Sequence, residues 1–219
     1  TEGAALLAKE SITGRYFGML PRDSIFFYPE EAMRTAVLAG YPSLSAVSVT
    51  RTSFTSVTVS GTRRVAAFYW CGESAAAFSV TNAACYEADT EGLVFARAAD
   101  GVQEATSSSP LLRVYSPLEG GGTSYPIRGM VTGAKQMPNL LHFVRAVKTL
   151  GMPVLSTFIN GDEAELFVTP ETRIKYVLGR EEEAAKNAEA AFPNLNLLDG
   201  TIEYIDLRFD GKVYIKRYE

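Results

Sequence analysis

Apolar residues fall at helical spacing in a few places along the chain and at alternate positions through much of the rest, and these two periods sort it into elements. The stretch 4–19 is compatible with a first helix, which Leu20-Pro21-Arg22-Asp23 breaks with a proline and a turn-forming aspartate. A short apolar run, Ile25-Phe26-Phe27-Tyr28, precedes Pro29-Glu30-Glu31. That triplet opens a second helix, because proline suits a first helical turn and carboxylates suit the positive end of the helix dipole. Ala32, Met33, Ala36, Val37 and Leu38 supply its apolar face, and Gly40-Tyr41-Pro42 ends it. Val47 and Val49, then Val57 and Val59, alternate with polar residues on either side of the connection 50–55, a pattern that predicts a β-hairpin.

From residue 64 the pattern becomes a series of strands, 64–71, 85–89, 92–96 and 111–115, with Asp89-Thr90-Glu91-Gly92 as a tight turn. Segment 100–110 and the run Gly120-Gly121-Gly122 read as loops, and no Gly-Lys-Ser/Thr follows to make either a phosphate-binding loop. Leu140, Leu141, Val144, Val147 and Leu150 predict a helix over 138–150, ended by Gly151. Strands 154–159, 164–168 and 173–178 follow, the first two joined at Gly161-Asp162. An alanine-rich helix over 181–192 begins with Glu181-Glu182-Glu183, which reads as a solvated face suited to the dipole rather than as metal ligands. Strands 201–209 and 212–218 close the chain around Asp210-Gly211, a strong hairpin signal. In the last strand Val213 and Ile215 point one way and Lys212, Tyr214, Lys216 and Tyr218 the other. The expected fold class is α+β: a small α/β domain over 1–63, then a larger, mostly antiparallel β domain with helices over 64–219.

Composition narrows the function classes. With 47% hydrophobic and 21% charged residues in 219, the chain can bury a sizeable core and is neither a disordered segment nor a coiled coil. Lys plus Arg number 21 against 25 acidic residues, a net charge of −4, so no overall field favours a phosphate backbone and nucleic acid is not an expected partner. The longest apolar run, 65–71, is far short of the ~20 residues that cross a bilayer. The chain opens with Thr1 rather than Met and so reads as a fragment or processed product, upstream of which any signal or anchor would lie.

One histidine and two cysteines, without CxxC, HxxxH or HExxH spacing, leave no expected zinc site, cofactor or nucleophilic triad. His142, between Leu141 and Phe143, reads as a helix-face or packed residue rather than a catalytic base. Cys71 and Cys85 flank a stretch bounded by strand-like segments. They are either two buried free thiols or, if those segments form a hairpin, a disulfide that implies an oxidising compartment.

Several segments taken in order resemble the extracytoplasmic part of the FtsQ/DivIB family of bacterial cell-division proteins. They are Gly14-Arg15-Tyr16-Phe17-Gly18-Met19-Leu20-Pro21-Arg22-Asp23, Phe26-Phe27-Tyr28-Pro29, Tyr41-Pro42-Ser43-Leu44 leading to Val47-Ser48-Val49, 89–95, Leu178-Gly179-Arg180 and Tyr204-Ile205-Asp206-Leu207-Arg208-Phe209. At the domain junction the family carries Glu-Arg-x-Pro where this chain reads Thr62-Arg63-Arg64-Val65. The resemblance implies a POTRA domain, its first strand missing here, followed by the family's β domain. It further implies the periplasmic part of a single-pass inner-membrane protein that acts in septum formation as a non-enzymatic divisome scaffold. Its partners are the FtsB/FtsL pair, bound by adding a strand to the terminal β-strand. Carried onto this sequence, the partner-binding residues are Phe209, Asp210, Gly211, Val213 and Ile215, with Arg180 as a charge partner.

A chain-terminal strand at a sheet edge offers unpaired N–H and C=O groups to an incoming strand, independently of any resemblance. The opposing expectation is an edge protected by its own lysines, Lys212 and Lys216, with Arg180 paired to the 181–183 carboxylates. Two other functions compete: a POTRA-bearing export or outer-membrane-assembly module that binds client strands, and a hydrolase built on Asp89, Asp162 and Asp206.

Overall fold

The computed structural model describes residues 2–16, 18, 20–21, 24, 28–73, 84–99, 111–119, 125–168 and 172–218. The apolar run at 25–27 and the loops read at 100–110 and Gly120-Gly121-Gly122 lie outside these residues. The chain divides into two units, Thr1–Val65 and Ala66–Glu219.

In the first unit, helices α1 (Glu2–Glu10) and α2 (Glu30–Gly40) pack on a two-stranded antiparallel sheet of β3 (Leu44–Arg51) and β4 (Val57–Arg63). Ala8, Met33, Val37, Val47 and Val49 form its core, which is why Val47 and Val49 alternate with exposed residues. The first helix is shorter than its periodicity predicts. Ser11 Oγ and Thr13 Oγ1 donate to the carbonyls of Ala8 and Glu10, offering the backbone an alternative to the helix, and Gly14 then turns the chain at φ 110°. Beyond that turn β1 (Arg15–Tyr16) pairs antiparallel with β2 (Leu20–Pro21), so residues read as helix and helix breaker form a small ribbon.

The second unit is built on one nine-stranded sheet. Its strands are β5 (Phe68–Trp70), β6 (Tyr86–Ala88), β7 (Val94–Arg97), β8 (Leu112–Tyr115), β11 (Ser156–Asn160), β12 (Glu163–Phe167), β13 (Arg173–Val177), β14 (Ile202–Phe209) and β15 (Lys212–Arg217). They lie in the order β15-β14-β13-β12-β11-β8-β5-β6-β7. A separate ribbon pairs β9 (Leu118–Glu119) with β10 (Met130–Val131). The large sheet is mostly antiparallel, but β8 runs parallel to β5 and β11, and β13 parallel to β14.

Two of the parallel pairs are joined through helices: α3 (Met137–Thr149) lies between β8 and β11, and α4 (Glu181–Ala191) between β13 and β14. Strands β11 and β13 point the same way, and both crossovers step toward β15. Crossovers of one hand stepping in one direction place their helices on the same face. That face carries the core: Met137, Leu140, Phe143 and Val147 of α3 and Ala184 and Ala188 of α4 cover Ile159, Leu166, Ile174, Tyr176 and Ile205. The alanines of α4 are therefore packing residues on one side and its carboxylates solvated on the other, as an amphipathic helix requires.

Cys71 and Cys85 form a disulfide just beyond the β5–β6 ladder. Both are buried, in a small cluster with Tyr115 and Ala98. At the opposite end of the sheet, β7 is partly covered, because Arg128 N–H donates to Val94 O and Val94 N–H to Gly129 O. Strand β15 pairs with β14 alone among the described residues.

Candidate functional site

The open side of β15 is the candidate site, and its chemistry follows from the register of the last hairpin. Phe209 pairs with Lys212 across Asp210-Gly211, and Gly211 takes φ 59°, a conformation glycine adopts without steric cost. Both register shifts add a residue to β14, so the alternation along β15 is uninterrupted. Just past the strand, Tyr218 N–H donates to Thr201 O at 3.1 Å, which sets the phase. Residues 212, 214, 216 and 218 turn their backbone groups toward β14, and Val213, Ile215 and Arg217 turn theirs outward. Those three residues carry the ladder that an added strand would extend.

The side chains divide between the two faces. Ile215 lies opposite the fully buried Ile205, and Val213 packs against the core on the helix side. On the other face Tyr214 meets the ring of Phe209 edge-on at 4.9 Å between centroids. Large apolar surface stays in water here: Phe209 is 47% exposed, Tyr214 51%, Ile215 41% and Tyr218 48%. Aromatic side chains thus stand exposed along the strand that pairs with β14 alone among the described residues.

Polar contacts hold this edge in place. Arg180, at the start of α4, donates Nε and Nη2 to the two carboxylate oxygens of Glu183 at 2.8 and 2.6 Å, and Nη1 to the carbonyl of Arg208 at 3.0 Å. Asn187 Nδ2 reaches the carbonyl of Phe209. Arg180 thus anchors the hairpin end to α4, while its side chain remains 43% exposed. Expected as a partner's charge contact, it is already engaged within the chain.

On the sheet face away from the helices, Arg208 donates Nε and Nη2 to Asp206 at 2.9 and 2.6 Å, and Nη1 to Glu163 of β12 at 2.5 Å. Burial pushes the Asp206 carboxyl up, but the hydrogen bonds and charge of Arg208 outweigh it and hold the group below the ordinary carboxylate range. Nearby, Glu203 accepts from Lys216 at 2.8 Å and Arg173 at 3.1 Å, while Lys175 and Lys216 flank the ring of Tyr204. The hydrogen bond from Lys216 holds the Glu203 carboxyl below its ordinary value. This chain of contacts links the edge strand to β12 and β13.

Asp206 and Arg208 stand two apart in one strand, a same-face spacing legible in the sequence, but their third member Glu163 is 45 residues from Arg208. Asn187 carried no signal at all. Asp89 Oδ1 accepts the N–H groups of Glu91 and Leu93, so it shapes the β6–β7 turn, and Asp162 sits in the β11–β12 turn. His142 lies on the exposed side of α3, in an open groove of about 540 Å³ shared with Asn139, Glu181 and Lys186. Among the described residues no group of three or more His, Cys, Asp or Glu could hold a metal ion.

No protein-family model matches the chain, and no curated protein matches it in sequence.

Proposed function

We propose that this chain is a non-enzymatic cell-division scaffold of the FtsQ/DivIB type, which binds FtsB/FtsL-like proteins by adding a partner strand to β15. The single observation that carries the reading is the edge of a nine-stranded sheet at β15, which pairs with β14 alone among the described residues and is flanked by exposed Phe209, Tyr214 and Tyr218. Phe209, Asp210 and Gly211 form the turn beside that edge, Val213 and Ile215 lie on it, and Arg180 fixes its orientation from α4. The Cys71–Cys85 disulfide supports an extracytoplasmic location, since such bonds persist in oxidising compartments. A single-pass anchor would lie outside this chain, whose described residues include no helix long and apolar enough to cross a membrane. The smaller unit is the candidate POTRA-like domain, with two helices on a β-hairpin.

The test is capture of an FtsB-like extracytoplasmic segment by the soluble chain, comparing wild type with Ile215→Pro and Arg180→Glu. Proline at 215 removes an outward N–H without touching the β14–β15 ladder, so it abolishes capture. Arg180→Glu sets a second carboxylate against Glu183 and weakens capture by releasing the hairpin end. Undiminished capture by Ile215→Pro removes β15 as the site, and no capture by wild type removes the scaffold reading.

A further inference from the structure

Charge along β15 differs in sign from the chain that bears it. Lys212–Arg217 holds three cations, Lys212, Lys216 and Arg217, and no carboxylate, whereas the whole protein carries −4. Lys216 is matched by Glu203. Among the described residues neither Lys212 nor Arg217 forms an ion pair, but Arg217 donates to the hydroxyl of Thr201 at 2.9 Å, and its charge acts on the Asp199 carboxylate to which that hydroxyl donates. Lys212 therefore stands on the open edge without an ion-pair partner among the described residues, next to the backbone groups of Val213.

We infer that this edge selects an acidic extended segment and rejects a second copy of itself, an inference that rests on the strand-addition reading above. Pairing β15 with β15 of another molecule would set six cations along one short ribbon, and like charges facing each other across strands oppose pairing. A segment with apolar residues at alternate positions and Asp or Glu between them meets both demands of the edge. Its apolar side chains continue the Val213 and Ile215 face, and its carboxylates lie beside Lys212 and Lys216 on the face of Tyr214. Lysines on an edge strand thus serve two ends at once: they bar self-association and choose the partner.

Three ten-residue peptides test this, with valine alternating with glutamate, serine or lysine, each N-methylated along one edge so that it cannot stack on itself. Binding is read by calorimetry on the full chain. The glutamate peptide binds about tenfold more tightly than the serine peptide, from favourable cross-strand pairs with Lys212 and Lys216, and the lysine peptide binds most weakly. Its advantage shrinks between about 50 and 300 mM salt. The variant Lys212→Glu, with its fold checked by Trp70 fluorescence, removes the advantage of the glutamate peptide over the serine peptide. Equal affinity for the glutamate and serine peptides, both lost in Ile215→Pro, overturns charge selection and leaves strand addition standing. Failure of all three peptides while an FtsB-like segment is captured has the same meaning. Glutamate-peptide binding that Ile215→Pro leaves unchanged overturns both readings.

Discussion

The alternation of backbone groups along β15 makes neighbouring positions respond oppositely to proline. Tyr214 turns its N–H toward β14, opposite Asp206, so Tyr214→Pro deletes a ladder hydrogen bond and orphans its acceptor. It also deletes the edge-on contact with Phe209. Together these cost about 3 kcal/mol. Ile215 turns its N–H to solvent, and Ile215→Pro loses only part of a side chain that is already 41% exposed, about 1 kcal/mol. The gap between the variants, about 2 kcal/mol, is read from urea unfolding followed by the fluorescence of Trp70. That residue is the only tryptophan, is 3% exposed and lies in the core of the sheet unit, so it reports that unit. At unchanged m-value the difference appears directly as a shift in midpoint. Equal destabilisation by the two prolines, or the reverse order, would mean that 215 rather than 214 is bonded to β14, and the assignment of the free ladder to Val213, Ile215 and Arg217 would be wrong.

Two further outcomes follow from contacts elsewhere in the unit. Reducing the disulfide, or replacing both Cys71 and Cys85 by alanine, lowers the stability of the sheet unit by about 3 kcal/mol in the same unfolding assay, because the closed loop no longer restricts the unfolded chain. Asp206→Asn breaks the charge-assisted clamp on Arg208 and costs about 2 kcal/mol at neutral pH. Because the folded-state carboxyl of Asp206 lies below its unfolded value of about 3.9, its stabilisation is complete above that pH and is lost as pH falls through the lower folded value. Stability of the wild type therefore declines more steeply below about pH 4 than that of Asp206→Asn, and parallel acid profiles would show that the clamp carries no pH dependence.

Local patterning settles the parts of this protein that depend on neighbours a few residues apart. The acidic first turn and spaced alanines of 181–191 and the alternating valines of 47–59 each predict an element that is present. So does Asp210-Gly211 between two alternating runs. The failure at the first helix is also local: Ser11, Thr13 and Gly14 compete with helical hydrogen bonding inside an otherwise periodic stretch, and periodicity alone does not weigh that competition. The α+β class and the final hairpin are thus properties of the sequence itself.

Strand order is another matter. Two crossovers of one hand, each burying an apolar helix stripe on the same sheet face, carry the chain step by step toward β15 and leave that strand outermost. No window of residues encodes this, because burial is shared among segments far apart in the chain. The same holds for Arg180, whose position after a strand is legible but whose grip on the Arg208 carbonyl exists only once α4 has crossed back over β14. It holds too for Cys71 and Cys85, whose spacing allows free thiols or a bond until the β5–β6 pairing brings them together. The amino-acid sequence determined which segments can form strands and helices, since those preferences arise from periodicity and turn chemistry within a few residues. Tertiary packing decided which strand lies at the edge among the described residues, since that depends on where all the other strands find their neighbours.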